Sequence, residues 1–146
     1  MGLNFERFRG NTMWAKLIIN LKSRPVWMNL VMLFCAFMTF IYMPFDMFLK
    51  PVAEDQEVWF GFMLTGWAAK ATEPLHWLIY GFGSYGIWHM KRWLHPWAAL
   101  YTVQVAIGMV VWSLVYSDAS ARAAIVAAPF LLLAWMLWRA RPGFVN

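Results

Sequence analysis

The sequence predicts an all-α polytopic membrane protein with a four-helix transmembrane bundle. Three observations predict this fold: the composition, the uncharged runs and the distribution of charge. Of the 146 residues, 62% are hydrophobic and 13% are charged, whereas a typical soluble domain is about 25% charged. One small soluble core could not bury so many large apolar side chains. The composition therefore argues against a soluble enzyme domain or a disordered chain, and the single cysteine rules out an intrachain disulfide scaffold.

Four uncharged runs separate the charged residues and are long enough, or nearly so, to cross about 30 Å of hydrocarbon. The sequence Thr72-Glu73-Pro74 is typical of a helix start, with a capping residue and a proline in the first turn. The second and fourth runs are short, but flanking arginines can extend to the membrane surface. The predicted spans are 25–46, 73–91, 93–117 and 121–139.

The basic residues support four spans, because they divide nine to three between the two sides of the membrane. The richer side holds Arg7, Arg9, Lys16, Lys22, Arg24, Lys91, Arg92, Arg139 and Arg141. The other side holds Lys50, Lys70 and Arg122. By the positive-inside rule both termini are cytoplasmic, and we expect an integral protein of the cell inner membrane. The positive net charge then reflects topology and attraction to membrane lipids, and no nucleic-acid partner is expected.

Two segments lie outside the predicted spans. Within a cytoplasmic N-terminal region, 1–24, residues 11–22 place apolar side chains at helical spacing, with Asn20 and two lysines mostly on the other side. This pattern predicts an amphipathic helix lying in the interface, ahead of the transmembrane domain, 25–146. On the outer face, residues 57–70 are apolar but too short to span, which favours an ordered interfacial or re-entrant segment with bends at its glycines.

The outer face also holds the candidate binding site. Asp46 ends the first span and Glu73 opens the second, so both lie near one membrane level. His76 and Tyr80 follow Glu73 on one helical face. These residues predict a polar column beneath an aromatic lid from Trp59 or Trp67. The alternative is a plain helix start beside a solvated acidic loop. Deeper ligand-binding candidates in the third span are Tyr101 and Gln104.

The histidines raise a haem alternative. His76-Trp77 resembles the start of haem-binding helices in membrane cytochromes b, a resemblance that would imply ligands at His76 and His89. Thirteen residues give a rise of about 19.5 Å, which suits two stacked haems, but a rotation of about 220° turns the rings to nearly opposite faces. Only His95 remains as a further histidine ligand. The other reading is a pair of interfacial histidines at the helix ends.

No catalytic motif and no metal motif is recognisable, so the sequence leaves open whether the protein is an enzyme and which cofactor it uses. The leading expectation is a small, non-catalytic integral subunit or accessory protein that packs with other membrane-protein subunits or with copies of itself. The alternative is a binding protein or enzyme for a lipophilic small molecule, namely a lipid, a quinone or a sterol-like compound. A haem or metal electron carrier is the third possibility.

Overall fold

The structure, a computed structural model, is mostly helical. It describes residues 13–116 and 120–146, without the side chains of 120–124. The predicted helix at 11–22 and the loop after the third span therefore lie partly outside the described residues. The elements follow in the order α1 (Met13–Lys22), α2 (Val26–Phe48), β1 (Gln56–Trp59), β2 (Phe62–Thr65), α3 (Trp67–Lys70), α4 (Glu73–Trp88), α5 (Leu94–Tyr116) and α6 (Ser120–Arg139).

Two of these helices, α2 and α5, are long and apolar enough to cross a membrane. Helix α4 has 16 residues, and the apolar part of α6 is the stretch Ile125–Arg139. The helices occupy the positions of the four uncharged runs, because charged and turn-forming residues end each run. The start of α4 follows the predicted Thr-Glu-Pro signal.

Helix α2 contains a π-helical turn, Met38–Tyr42, between two α-helical stretches. The Thr39 carbonyl in this turn accepts a hydrogen bond of 2.7 Å from the indole N–H of Trp77 on α4. A π turn takes a carbonyl out of the regular helical ladder and leaves it available to another donor. The turn therefore fixes α4 against α2 at mid-height.

The helices pack as two pairs, α2 with α4 and α5 with α6, and the pairs meet less closely than the partners within each pair. Small buried residues line the contact between α5 and α6, and small side chains let helix backbones approach closely. They include Ala99 and Ala106 on α5 and Ala127 and Ala134 on α6. The sparser contact between α4 and α5 leaves a cavity between the two pairs.

The end of the bundle that holds the α4–α5 turn, called the turn end here, is closed by a buried hydrophobic cluster. Its buried members are Met28, Met32, Ile87, Leu94 and Phe144. Asn146 also ties the chain to this turn, since its carbonyl accepts a hydrogen bond of 2.8 Å from the Arg92 N–H. The tail therefore adds to the packing that orients α4 relative to α5.

Arg24 is buried at the turn end and caps α4. Its guanidinium donates to the side-chain oxygens of Asn29 and Asn20, and to the carbonyls of Ile87 and Trp88 at 3.3 and 3.1 Å. These bonds satisfy carbonyls that the end of a helix leaves without partners. Asn20, expected mostly on the polar side of the interfacial helix, faces the bundle and not solvent, because its amide donates to the Trp88 carbonyl at 3.3 Å.

The predicted outer segment forms an antiparallel hairpin, in which Gln56 pairs with Thr65, followed by α3. Bends at the glycines are confirmed, since Gly61 has φ +90° and Gly66 φ +60°. The hairpin tip packs on α5: a Cβ built on Gly61 would lie 2.4 Å from the Cβ of Val111. Val111 lies five residues, or about 7.5 Å, before the end of α5, so the hairpin reaches well down the side of the bundle.

Candidate functional site

The six predicted site residues fall into three neighbouring groups, which follow one another along the length of α4. Asp46 and Glu73 belong to a buried ion cluster at the hairpin end of the bundle. His76 lies below it, stacked on a tryptophan. Tyr80, Tyr101 and Gln104 line the cavity between the helix pairs. The structure thus places the residues of the predicted column in three environments with different chemistry.

The ion cluster contains three carboxylates and two lysines. Lys50 contacts Asp46 Oδ1 and Asp55 Oδ1, both at 2.9 Å. Lys70 contacts Asp55 Oδ2 at 3.4 Å and Glu73 Oε1 at 3.2 Å, and it donates to the Asp46 carbonyl. All three carboxylate side chains are at most 1% exposed. The cluster therefore joins the end of α2, the loop before β1, α3 and the start of α4.

Asp55 corrects the expectation of a solvated acidic loop. Its side chain is fully buried, although it belongs to that loop. Two lysines hold it, and its own carbonyl accepts a 3.0 Å bond from the Gly66 N–H at the end of the hairpin. The neighbouring Glu54 stays exposed. The solvated-loop interpretation is therefore wrong for Asp55 and holds for Glu54.

Contacts with neighbouring charged groups set the charge states of Asp55 and Lys50. Burial by itself raises the pKa of the Asp55 carboxyl, but its bonds with Lys50 and Glu73 outweigh burial and hold the pKa below its ordinary value. Burial by itself lowers the pKa of Lys50, and its bonds with Asp55 and Asp46 raise that pKa above its ordinary value. Both groups are charged across the physiological pH range.

The three carboxylates are close enough together to suggest a metal site, since oxygens of Asp46, Asp55 and Glu73 lie within 4.8 Å of one another. Their inward-facing oxygens already contact the ammonium groups of Lys50 and Lys70. A metal ion in this space would lie directly against two positive charges. The lysines therefore take the place that a metal would need, and the cluster is an ion-pair network.

His76 projects from α4 and packs against the hairpin. Its Nδ1 lies 3.1 Å from Glu57 Oε2 on β1, and its ring stacks on Trp59, with centroids 4.2 Å apart and planes 10° apart. Of the two tryptophans expected as a lid, Trp59 covers His76, whereas Trp67 is 77% exposed. The hairpin thus covers α4 one turn below the ion cluster.

The cavity lies between the helix pairs and has a volume of about 770 Å³. Its walls are mostly aliphatic and aromatic side chains from α2, α4, α5 and α6, and charged side chains are absent from them within the described residues. The polar groups are few: the hydroxyls of Tyr80 and Tyr101, which interact with each other, the amide of Gln104, and Cys35 and Thr102. The cavity can solvate an apolar body and hydrogen-bond an uncharged polar end.

The other two histidines lie at the turn end of the bundle. His89 is exposed and contacts the ring of Tyr85 at 4.6 Å. His95 is buried, and its Nε2 lies 3.0 Å from the Trp138 carbonyl. His76 and His89 therefore lie at opposite ends of α4, each against its own aromatic partner, and His95 points to α6. The structure brings no two of these three rings together.

The lysines and Asp55 are the site residues that sequence reasoning missed. Lys50 follows Asp46 by four residues and Lys70 precedes Glu73 by three, so two local ion pairs were readable from spacing. Both lysines also contact Asp55, and this arrangement depends on the hairpin. The sequence carried no separate signal for the hairpin. No family model, no curated protein and no solved structure matches this chain.

Proposed function

We propose that this chain is an integral membrane protein that binds an uncharged lipophilic small molecule in the cavity between its helix pairs. The candidate ligands are a lipid, a quinone or a sterol-like compound. The observation that carries the proposal is a cavity of about 770 Å³ with apolar walls and a few polar groups. Ligand sites in proteins are typically of this size and composition.

The proposal places the cavity inside the membrane, with α2, α4, α5 and α6 as four crossing helices. Helices α2 and α5 support it by their length and hydropathy, and the basic residues support it by their partition. Reporter fusions after Lys22 and Lys91 should then read cytoplasmic, and a fusion after Glu57 should read external. A cytoplasmic reading after Glu57 would contradict four crossings.

The ligand should be uncharged because the cavity offers no counter-ion. An ionised group moved into an apolar site without a partner costs several kcal/mol, whereas a hydroxyl or ketone can bond to Tyr101 or Gln104. Both side chains are half-buried and reach the cavity from α5. These residues would orient the ligand by its polar end, and they assign no reaction.

Thermal unfolding of the purified protein in detergent tests the proposal with matched ligand pairs. Retinol and geranylgeraniol should raise the melting temperature, whereas retinoic and geranylgeranoic acids should not. The variants Gln104→Leu and Tyr101→Phe should reduce the shift, and Ser84→Ala, a half-buried α4 residue outside the cavity lining, should keep it. Equal shifts from alcohols and acids, or none from a wider panel that includes ubiquinone and cholesterol, would contradict the proposal.

An accessory-subunit role is the second candidate, and the exposed face of α4 favours it. Leu75, Leu78, Phe82 and Tyr85 form a stripe on which each side chain is at least 50% exposed. The helix is about 24 Å long, less than the hydrocarbon thickness, so covering helices would help to accommodate it. Native gels of membranes solubilised in a mild detergent should show the chain in a larger complex. Migration as a monomer would remove this candidate.

A further inference from the structure

The buried ion cluster is not used by the proposed ligand site, and its charges do not balance. With every group ionised, three carboxylates face two ammonium groups, which leaves one excess negative charge on side chains that are at most 1% exposed, although Lys50 and Lys70 themselves reach solvent. An uncompensated buried charge is costly, and such a group is neutralised instead. A proton is the smallest cation that could supply the missing charge.

Unpartnered oxygens mark where that proton would lie. Asp46 Oδ2 and Glu73 Oε2 are buried and have no hydrogen-bond partner among the described residues. A carboxylate oxygen in this state is an acceptor without a donor, but the same oxygen carrying a proton becomes a donor. The Asp55 and Glu73 carboxyls also interact directly, so a protonated Glu73 can donate to an ionised Asp55.

The lysine contacts distinguish the three acids. Asp55 contacts both ammonium groups, at 2.9 and 3.4 Å. Asp46 contacts Lys50 at 2.9 Å, whereas Glu73 contacts Lys70 at the longer distance of 3.2 Å. Glu73 is fully buried and Asp46 is 1% exposed, and each carboxylate contacts one ammonium group and keeps an oxygen without a hydrogen-bond partner. The ionised forms of Asp46 and Glu73 are therefore less stabilised than that of Asp55.

We propose that the cluster is a proton-binding site, which at neutral pH holds one exchangeable proton on the two carboxyls that keep an unpartnered oxygen, Asp46 and Glu73, beside an ionised Asp55. The other titratable groups around it are Tyr42 on α2 and the Glu57–His76 pair one turn below. Asp55 ends the loop that leads into β1, so the same proton stabilises docking of the hairpin over α4. Loss of the proton would put the excess negative charge at the base of the hairpin and weaken that docking.

Infrared spectroscopy of the full chain tests the proposal, because a protonated carboxylic acid has a carbonyl band that a carboxylate lacks. The wild type should show this band at pH 6–7, and the band should disappear on alkalinisation. It should be absent in Glu73→Gln. Glu54→Gln, which changes an exposed acid in the same loop, should keep it.

Charge balance gives a second and independent test in variants that leave Glu73 in place. Asp46→Asn leaves two carboxylates with two lysines, so Glu73 should ionise and the band should be lost. This variant also keeps the test decisive if Glu73→Gln fails to fold. Three results would overturn the proposal: no acid band in the wild type, a band that persists in Asp46→Asn, or one metal ion per chain in native mass spectrometry.

Discussion

Docking of the hairpin tip on α5 predicts an unequal effect of two glycine substitutions. Gly61 and Gly66 both have positive φ, +90° and +60°, so alanine is strained at either position. At Gly61 the new methyl group would also lie 2.4 Å from Val111 Cβ and 2.7 Å from the Gly108 carbonyl. At Gly66 the nearest atom is 3.8 Å away, which is an ordinary contact.

The difference between the two variants measures the docking contact. Backbone strain costs alanine roughly 1–3 kcal/mol at such a positive-φ position, and we expect Gly66→Ala, at φ +60° and ψ −131°, to lose only that. Overpacking adds about 1–3 kcal/mol, so Gly61→Ala should lose about 2–6 kcal/mol and more than Gly66→Ala. Unfolding by sodium dodecyl sulfate in mixed micelles, followed by circular dichroism, gives both free energies of unfolding. Losses that agree within about 0.5 kcal/mol would refute the packing of the tip on α5.

Three further outcomes follow from the site. Lys70→Met should lower the free energy of unfolding by about 3–5 kcal/mol, because it breaks a buried ion pair. The control Lys16→Met, on the exposed side of α1, should change that free energy by under about 0.5 kcal/mol. Equal losses in the two variants would contradict a special role for the cluster. Asp55 has a lowered pKa in the folded chain, so its contribution to stability should be present above about pH 3.8 and be lost as the pH falls through that lower value. Thermal melts at acidic pH should show this loss in the wild type and less of it in Asp55→Asn. His76→Phe should keep the ring stack on Trp59 and, because His76 is not among the residues that line the cavity, it should also keep the ligand-induced shifts of the melting temperature; loss of those shifts would contradict a ligand site confined to the cavity.

The helices were predictable from sequence because charged residues and helix-start signals bound long apolar runs. The start of α4 is a clear case, since Thr72, Glu73 and Pro74 stand together at its first turn. The placement of Asp46 and Glu73 near one level was also predictable, because each lies at the end of an apolar run, but their burial was not. Local sequence thus fixes both the helix and the depth of its terminal carboxylate.

The hairpin and the ion cluster were not predictable for a common reason. The apolar segment 57–70 is too short to show whether it pairs with itself or lies flat, and Phe60-Gly61 at the tip is not a standard two-residue turn signal. Burial of Asp55 requires Lys50 from one side of the hairpin and Lys70 from the other. Contacts between residues so far apart in the chain form only when the chain folds. The local sequence could therefore suggest only the two short-range ion pairs, Lys50 with Asp46 and Lys70 with Glu73.

The central claim is a lipophilic molecule in the cavity, and native mass spectrometry of protein extracted from its own membrane tests it most directly. Val105 lines the cavity, and Ile107 on the same helix is exposed and outside it. The wild type and Ile107→Phe should each release one uncharged lipophilic molecule per chain, whereas Val105→Phe, which puts a bulkier side chain into the cavity wall, should release clearly less. A molecule that all three proteins retain equally, or that none retains, would contradict the claim.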